Sequence, residues 1–170
     1  MGKGAASEAT ADGMPEPGQW GSYSFRRARQ ADAPAVTALV HAAYRHYVER
    51  IAITPGPMTD DYQQVIRDHQ VTVAEQDAAI AGVIVLRVTE EGFLIDNVAV
   101  HPAHRGRGLG RALLELAEAE ARRAGFDSVY LYTHEKMTEN LALYSKIGYV
   151  EYDRRREQGF SRAYMRKHLA

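Results

Sequence analysis

Residues 93–124 read FLIDNVAVHPAHRGRGLGRALLELAEAEARRA, and this stretch decides the fold. Its first part, residues 93–101, is apolar and β-branched and predicts a buried strand. The strand ends at Pro102, which has no N–H to give to a sheet ladder. An Arg- and Gly-rich loop follows, Arg105-Gly106-Arg107-Gly108-Leu109-Gly110. Leu109, Ala112, Leu113, Leu116 and Ala117 then recur at i, i+3, i+4 spacing, which predicts an amphipathic helix. Gly125 is its expected stop. A strand that feeds a glycine loop opening a helix is suited to anions. The first-turn N–H groups lack intrahelical partners, and the aligned peptide dipoles put positive potential there. Arg105, Arg107 and Arg111 add charge.

Outward from this stretch, composition narrows the classes. The chain has 170 residues, 45% hydrophobic and 25% charged, as expected for one soluble globular domain. It has no cysteine, which excludes disulfides, thiolate chemistry and Cys-based metal sites. The seven histidines show no metal-ligand spacing, so no metal is expected. A net charge of −1 gives no global case for nucleic acid. The longest uncharged apolar run, residues 78–86, is strand-sized, so no membrane span is expected. The first 22 residues lack the apolar core of a signal peptide, and a cytoplasmic protein is expected.

The chain divides into a flexible tail, 1–22, and a single domain, 23–170. Trp20 is the one tail residue with reason to dock on the domain. Residues 23–29 alternate as a first strand. Asp32 and Pro34 open a helix that runs to about Arg50. Pro55 and Pro57 stiffen a loop, and Thr59 is the expected cap of a second helix. Strands are expected at 70–75, 79–89 and 93–101, then the central helix, a strand at 128–134, and a helix at 138–147. A hairpin of 149–156 and 160–167 closes the chain. The fold class is α/β: a mixed central sheet of about seven strands flanked by about four helices. Its first part is antiparallel, and the 93–134 unit supplies a parallel crossover.

The motifs now carry a resemblance. Arg105-x-x-Gly108-x-Gly110, after Val98-Ala99-Val100-His101-Pro102, closely resembles the acyl-CoA signature of the GNAT superfamily of N-acetyltransferases. The stretch Asn140 to Tyr149, NLALYSKIGY, resembles the family's N-x-x-A-x-x-x-Y-x-x-x-G-F/Y element, with the Asn–Ala spacing slightly shifted. The resemblance covers residue 23 to the end of the chain. It implies that acetyl-CoA is the co-substrate and that residues 105–111 hold its pyrophosphate. It also implies a bulged central strand splayed from its parallel neighbour. Val98, Ala99 and Val100 would then pair with the pantetheine arm, and the Val98 N–H would polarise the thioester carbonyl. Asn140 would contact the cofactor arm, and Tyr144 would sit near the sulfur and protonate the leaving thiolate or hydrogen-bond to it. The acceptor would be an amine on a small molecule or peptide, attacking directly. The family is often dimeric, so a homodimer is among the implied states.

The base that deprotonates the amine stays open. Asp96 is the first candidate, because a carboxylate is uncommon on a buried strand face. Strict alternation separates Asp96 from Asn97 unless a bulge lies between them. His134 is the second candidate, and a base acting through water the third. The resemblance also places the acceptor pocket at the loop 55–58, with Tyr47, Met58 and Tyr62 as lining residues. Asp60, Asp61 and Glu49 there would attract a cationic amine or serve as cap and surface charges. A Rossmann site is disfavoured by the G-x-G-x-G spacing and the mid-chain position. No G-x-x-x-x-G-K-[ST] loop exists. The alternative to an enzyme is a non-catalytic acyl-CoA-binding module on the same fold.

Overall fold

The computed structural model describes residues 18–170. Most of the expected tail, residues 1–17, lies outside the described residues. The elements are β1 (Gln19–Trp20), β2 (Tyr23–Arg27), α1 (Ala33–Ile51), α2 (Tyr62–Asp68), β3 (Gln70–Gln76), β4 (Ala79–Thr89) and β5 (Gly92–Val100). They continue with α3 (Leu109–Arg123), β6 (Ser128–His134), α4 (Thr138–Lys146), β7 (Val150–Glu157) and β8 (Phe160–His168). The expected order holds, with one strand more than expected. Gln19 and Trp20, assigned to the tail on composition, pair with Ser24 and Tyr23. Trp20 stacks on Tyr23 at 6.2 Å between ring centroids.

The eight strands form one mixed sheet in the order β1-β2-β3-β4-β5-β6-β8-β7. Only β5 and β6 are parallel neighbours among them, and they pair only through Phe93–Val129 and Leu94–Tyr130. Beyond Leu94 the two strands separate, although β5 runs on to Val100 and β6 to His134. The sheet therefore opens in its middle.

Helices cover both faces. On one, α3 presents Leu109, Ala112, Leu113 and Ala117 to Ile84, Leu86, Phe93, Ile95 and Val129. Leu116 packs there half-buried. On the other, Val36, Leu39, Val40 and Ala43 of α1 meet Val71, Val73, Val83, Val85 and Ala99. Burying this apolar surface on both faces is the main stabilising term. Gly125, with φ of 88°, ends α3 as expected.

Two expected caps differ. Asp61, not Thr59, caps α2, accepting from the N–H groups of Gln63 and Gln64. Thr59 instead donates its hydroxyl to the Gly56 carbonyl. Met137, not Thr138, stands at the N-terminus of α4, and no side chain caps that helix. The α2 cap lies two residues after the expected one and the α4 N-cap one residue before it, shifts that composition does not encode.

Candidate active site

The central strand carries one irregularity. Leu86 faces Ile95 and Val85 faces Asn97, so Asp96 is an extra residue in β5. This bulge inverts the face pattern. Before it, Phe93 and Ile95 pack against α3; after it, Val98 and Val100 do. Asp96 and Asn97 consequently share the α1 face, where strict alternation would have separated them. Asn97 is buried and joins α1 to α2. Its Oδ1 accepts from the Tyr44 hydroxyl at 2.7 Å, and its Nδ2 donates to the Tyr62 hydroxyl at 3.2 Å.

The opening in the sheet leaves backbone groups available. His101 N–H donates to the Ala81 carbonyl across β4. Hydrogen-bonding groups alternate between the two edges of a strand. Val98 and Val100 therefore turn their N–H and C=O toward the gap where β6 has departed. The Tyr44 hydroxyl reaches the Val98 carbonyl at 3.4 Å from within that gap.

A cavity of about 590 Å³ fills this region. Val98, Ala99 and Val100 line it from β5, and Asn140 and Tyr144 from α4. Arg105, Gly106, Gly108, Leu109, Gly110 and Arg111 line it from the loop and the first turn of α3. Of the residues expected in the cofactor loop, Arg107 alone is not among the lining and lies exposed. Gly106 and Gly108 have φ of 77° and 81°, which glycine adopts without steric cost. Gly108 is the N-cap of α3, and no side chain caps that helix end. The first-turn amides thus lack a side-chain partner and face the cavity at the positive end of the dipole. Arg105 is also a strut: its Nη2 donates to the Ala43 carbonyl of α1 at 2.8 Å. Its other donors remain for an anion. A polyanion with an extended amide-bearing arm fits this donor set, with phosphates on the loop amides and the arm along Val98 and Val100.

Tyr144 is 7% exposed, and burial raises its phenol well above the usual tyrosine range. Among the described residues no hydrogen bond engages its hydroxyl. Arg50 and Glu139, 2.6 Å apart, join the end of α1 to α4 beside the cavity, and the Arg50 guanidinium holds the Glu139 carboxyl down at about 2.

A second cavity of about 470 Å³ lies on the α1 face and shares Tyr44 with the first. Its floor is the sheet, with Arg87, Asp96, Tyr132, His134 and Arg162. The loop from Thr54 to Asp60 closes it. Asp96 accepts a long hydrogen bond, 3.5 Å, from the Tyr132 hydroxyl. Partial burial raises the Asp60 carboxyl, and the neighbouring charge of Asp96 raises it further. The expected lining changes here. Tyr47 lines the first cavity, while Tyr62 is buried and donates to the Pro57 carbonyl at 2.6 Å. Met58 lines neither, and its carbonyl bonds His41. Asp61 is engaged as a helix cap, and Glu49 lies exposed on α1, away from both cavities.

His134 is disfavoured as a base by its own geometry. Its Nδ1 accepts the Lys136 N–H at 3.1 Å. Burial lowers its pKa, so the ring is neutral. A neutral imidazole that accepts at Nδ1 carries its proton on Nε2 and has no second lone pair to offer. Tyr44, at the junction of the cavities, was missed in the sequence because its i+3, i+4 spacing marks it only as a core residue of α1.

Among the described residues there is no cluster of three or more His, Asp or Glu that could hold a metal, and no helix long and apolar enough to cross a membrane. The model of the Acetyltransferase (GNAT) domain matches residues 67–151, half of the chain. An L-methionine sulfoximine/L-methionine sulfone acetyltransferase of Salmonella typhimurium is 27% identical over 136 residues, covering 75% of this chain and 80% of that protein. A mycothiol acetyltransferase of Jonesia denitrificans is 33% identical over 88 residues, 51% of this chain, which spans only 28% of that longer protein. The PaiA N-acetyltransferase of Thermoplasma acidophilum, solved in complex with coenzyme A, superposes with a TM-score of 0.73 at 16% identity, over 87% of this chain and 99% of that one. A splayed parallel pair, a bulged central strand, an uncapped glycine loop at a helix N-terminus and the matching domain model all agree: the chain belongs to the GNAT acetyltransferases.

Proposed function

We propose that this acetyltransferase moves the acetyl group of acetyl-CoA to a primary amine by direct attack, with the co-substrate in the first cavity and the acceptor in the second. The observation that carries this reading is the free edge of Val98 and Val100, opening beside the Gly106–Gly110 amides. Acetyl-CoA supplies the activated thioester. The loop amides, Arg105 and Arg111 bind its pyrophosphate, and Asn140 contacts the arm. In the transfer a nitrogen–carbon bond forms and the carbon–sulfur bond breaks. The Val98 N–H donates to the carbonyl oxygen as negative charge develops there. Tyr144, whose burial keeps the phenol protonated at neutral pH, gives a proton to the departing sulfur. Asp96 takes the proton that the amine releases, directly or through a water shared with Asp60.

No enzyme nucleophile is required, in keeping with a chain that has no cysteine. The test is Tyr144→Phe. Turnover measured by CoA release falls about 10²–10⁴-fold, the usual range for loss of a positioned acid. The Kd for acetyl-CoA by calorimetry stays unchanged. An unchanged rate removes Tyr144 from the mechanism, and failure to bind acetyl-CoA removes the proposal.

A further inference from the structure

The second cavity carries both signs of charge. Asp60 and Asp96 both line it, close enough for the Asp96 charge to act on the Asp60 carboxyl. Arg87 and Arg162 line it too, and the Arg87 charge also acts on the Asp60 carboxyl. The two arginines are in different states. Arg162 is bonded to Glu157 at 2.9 Å and stacked over Tyr132 and Phe160, at 4.7 and 5.0 Å. Arg87 has no hydrogen bond or ion pair among the described residues. It lies opposite Leu94 on the neighbouring strand, two residues before Asp96. Residues directly opposite in an antiparallel pair project to the same face, and diagonal neighbours sit about 7–8 Å apart. The Arg87 guanidinium, exposed and without a hydrogen bond or ion pair among the described residues, therefore stands beside the proposed base, on the wall of the same cavity.

A purely cationic acceptor has no use for Arg87 and is repelled by it. We infer that the acceptor carries an anionic group, a carboxylate on a short spacer from its amine, so that the amine meets Asp96 and the carboxylate meets Arg87. The substrate class is then the free amino acids and related amino-carboxylates. Arg is suited to this task, because its planar fork matches a carboxylate bidentately. This inference rests on acetyl transfer as proposed above.

The test compares free L-amino acids with their carboxamides and with the matching decarboxylated amines. Turnover is followed by thiol reagent, to which a cysteine-free chain contributes no background. Acetyl-CoA binding is measured separately by calorimetry. The expected result is a kcat/KM for amino acids about ten- to a hundredfold above that of the amides and amines. Arg87→Gln raises the KM for the amino acids by a similar factor and abolishes the discrimination, while the Kd for acetyl-CoA stays unchanged. Equal turnover of amines and amides, or full discrimination in Arg87→Gln, overturns the inference. Turnover of polyamines alone also overturns it, leaving the acetyl transfer itself intact. Absence of acetyl-CoA binding overturns the underlying reading instead.

Discussion

Gly108→Ala tests the loop at one atom. Gly108 sits at φ of 81°, where an L-residue with a Cβ costs about 1–2 kcal/mol. For a chain of this size that is a fall in Tm of about 2–8 °C. A Cβ there would also stand 3.3 Å from the Trp20 ring, close enough that the ring must give way. Gly106 is the internal control. It has φ of 77°, yet a Cβ there meets nothing within 4 Å. Gly106→Ala therefore carries the backbone cost alone, and Gly108→Ala carries it with displacement of Trp20. The chain has a single tryptophan, so intrinsic fluorescence reports that displacement directly. The assay is thermal unfolding by circular dichroism, with tryptophan emission and acetyl-CoA calorimetry on the same samples. Both variants lose stability, and only Gly108→Ala changes the emission. Affinity falls about tenfold or more when the amides at the α3 N-terminus lose their alignment, since each hydrogen bond to a charged group contributes about 1.5–3 kcal/mol. Two unchanged melting curves would refute the demand for a left-handed backbone. Identical emission in the two variants would refute the packing of Trp20 on the loop.

Two further perturbations address stability away from the site. The Tyr149 hydroxyl is buried without a partner among the described residues. Tyr149→Phe should therefore stabilise by about 1 kcal/mol in denaturant unfolding, and a clear loss would point to a bonded hydroxyl. Asp32 bonds the Arg26 guanidinium at 2.7 and 2.9 Å, and this lowers its carboxyl below the usual range. A depressed folded pKa contributes stability that is present above the unfolded value of about 3.9 and is lost as pH falls through the folded value. Asp32→Asn should thus cost about 1–2 kcal/mol at pH 7, discounted for partial exposure, with the deficit closing as the pH falls below the unfolded value and through the folded one. A deficit that persists in acid would assign the effect to packing.

Much of the lining of the first cavity was legible in the sequence because its signals are local. A β-branched run, a glycine loop and an i, i+3, i+4 stripe sit within residues 93–124, and neighbours along the chain suffice to read them. The second cavity depends on contacts between distant residues. The extra residue at Asp96 follows from register against Val85 and Leu86 in another strand, so the shared face of Asp96 and Asn97 could be posed only as a condition. Tyr44 reads as one more apolar position of α1 until Asn97 and the Val98 carbonyl are brought beside it. His134 carries no sign in sequence that its Nδ1 will be held by a backbone N–H two residues on. Asp60 and Asp61 look alike as first-turn carboxylates, yet one caps α2 and the other lines the cavity with Asp96 and Arg87. Composition also hid β1: two residues of a polar segment pair with β2, and Trp20 stacks on Tyr23.

The central claim is that acetyl-CoA lies with its pyrophosphate on the Gly106–Gly110 amides and its arm along the free edge of β5. Titration of ¹⁵N-labelled protein with acetyl-CoA, followed by amide resonances, tests it most directly. The account predicts saturable shifts at Gly106, Gly108, Gly110, Val98 and Val100, while Val71 and Val73, in the interior of β3, stay in place. Saturable binding that leaves those five amides unmoved would contradict it.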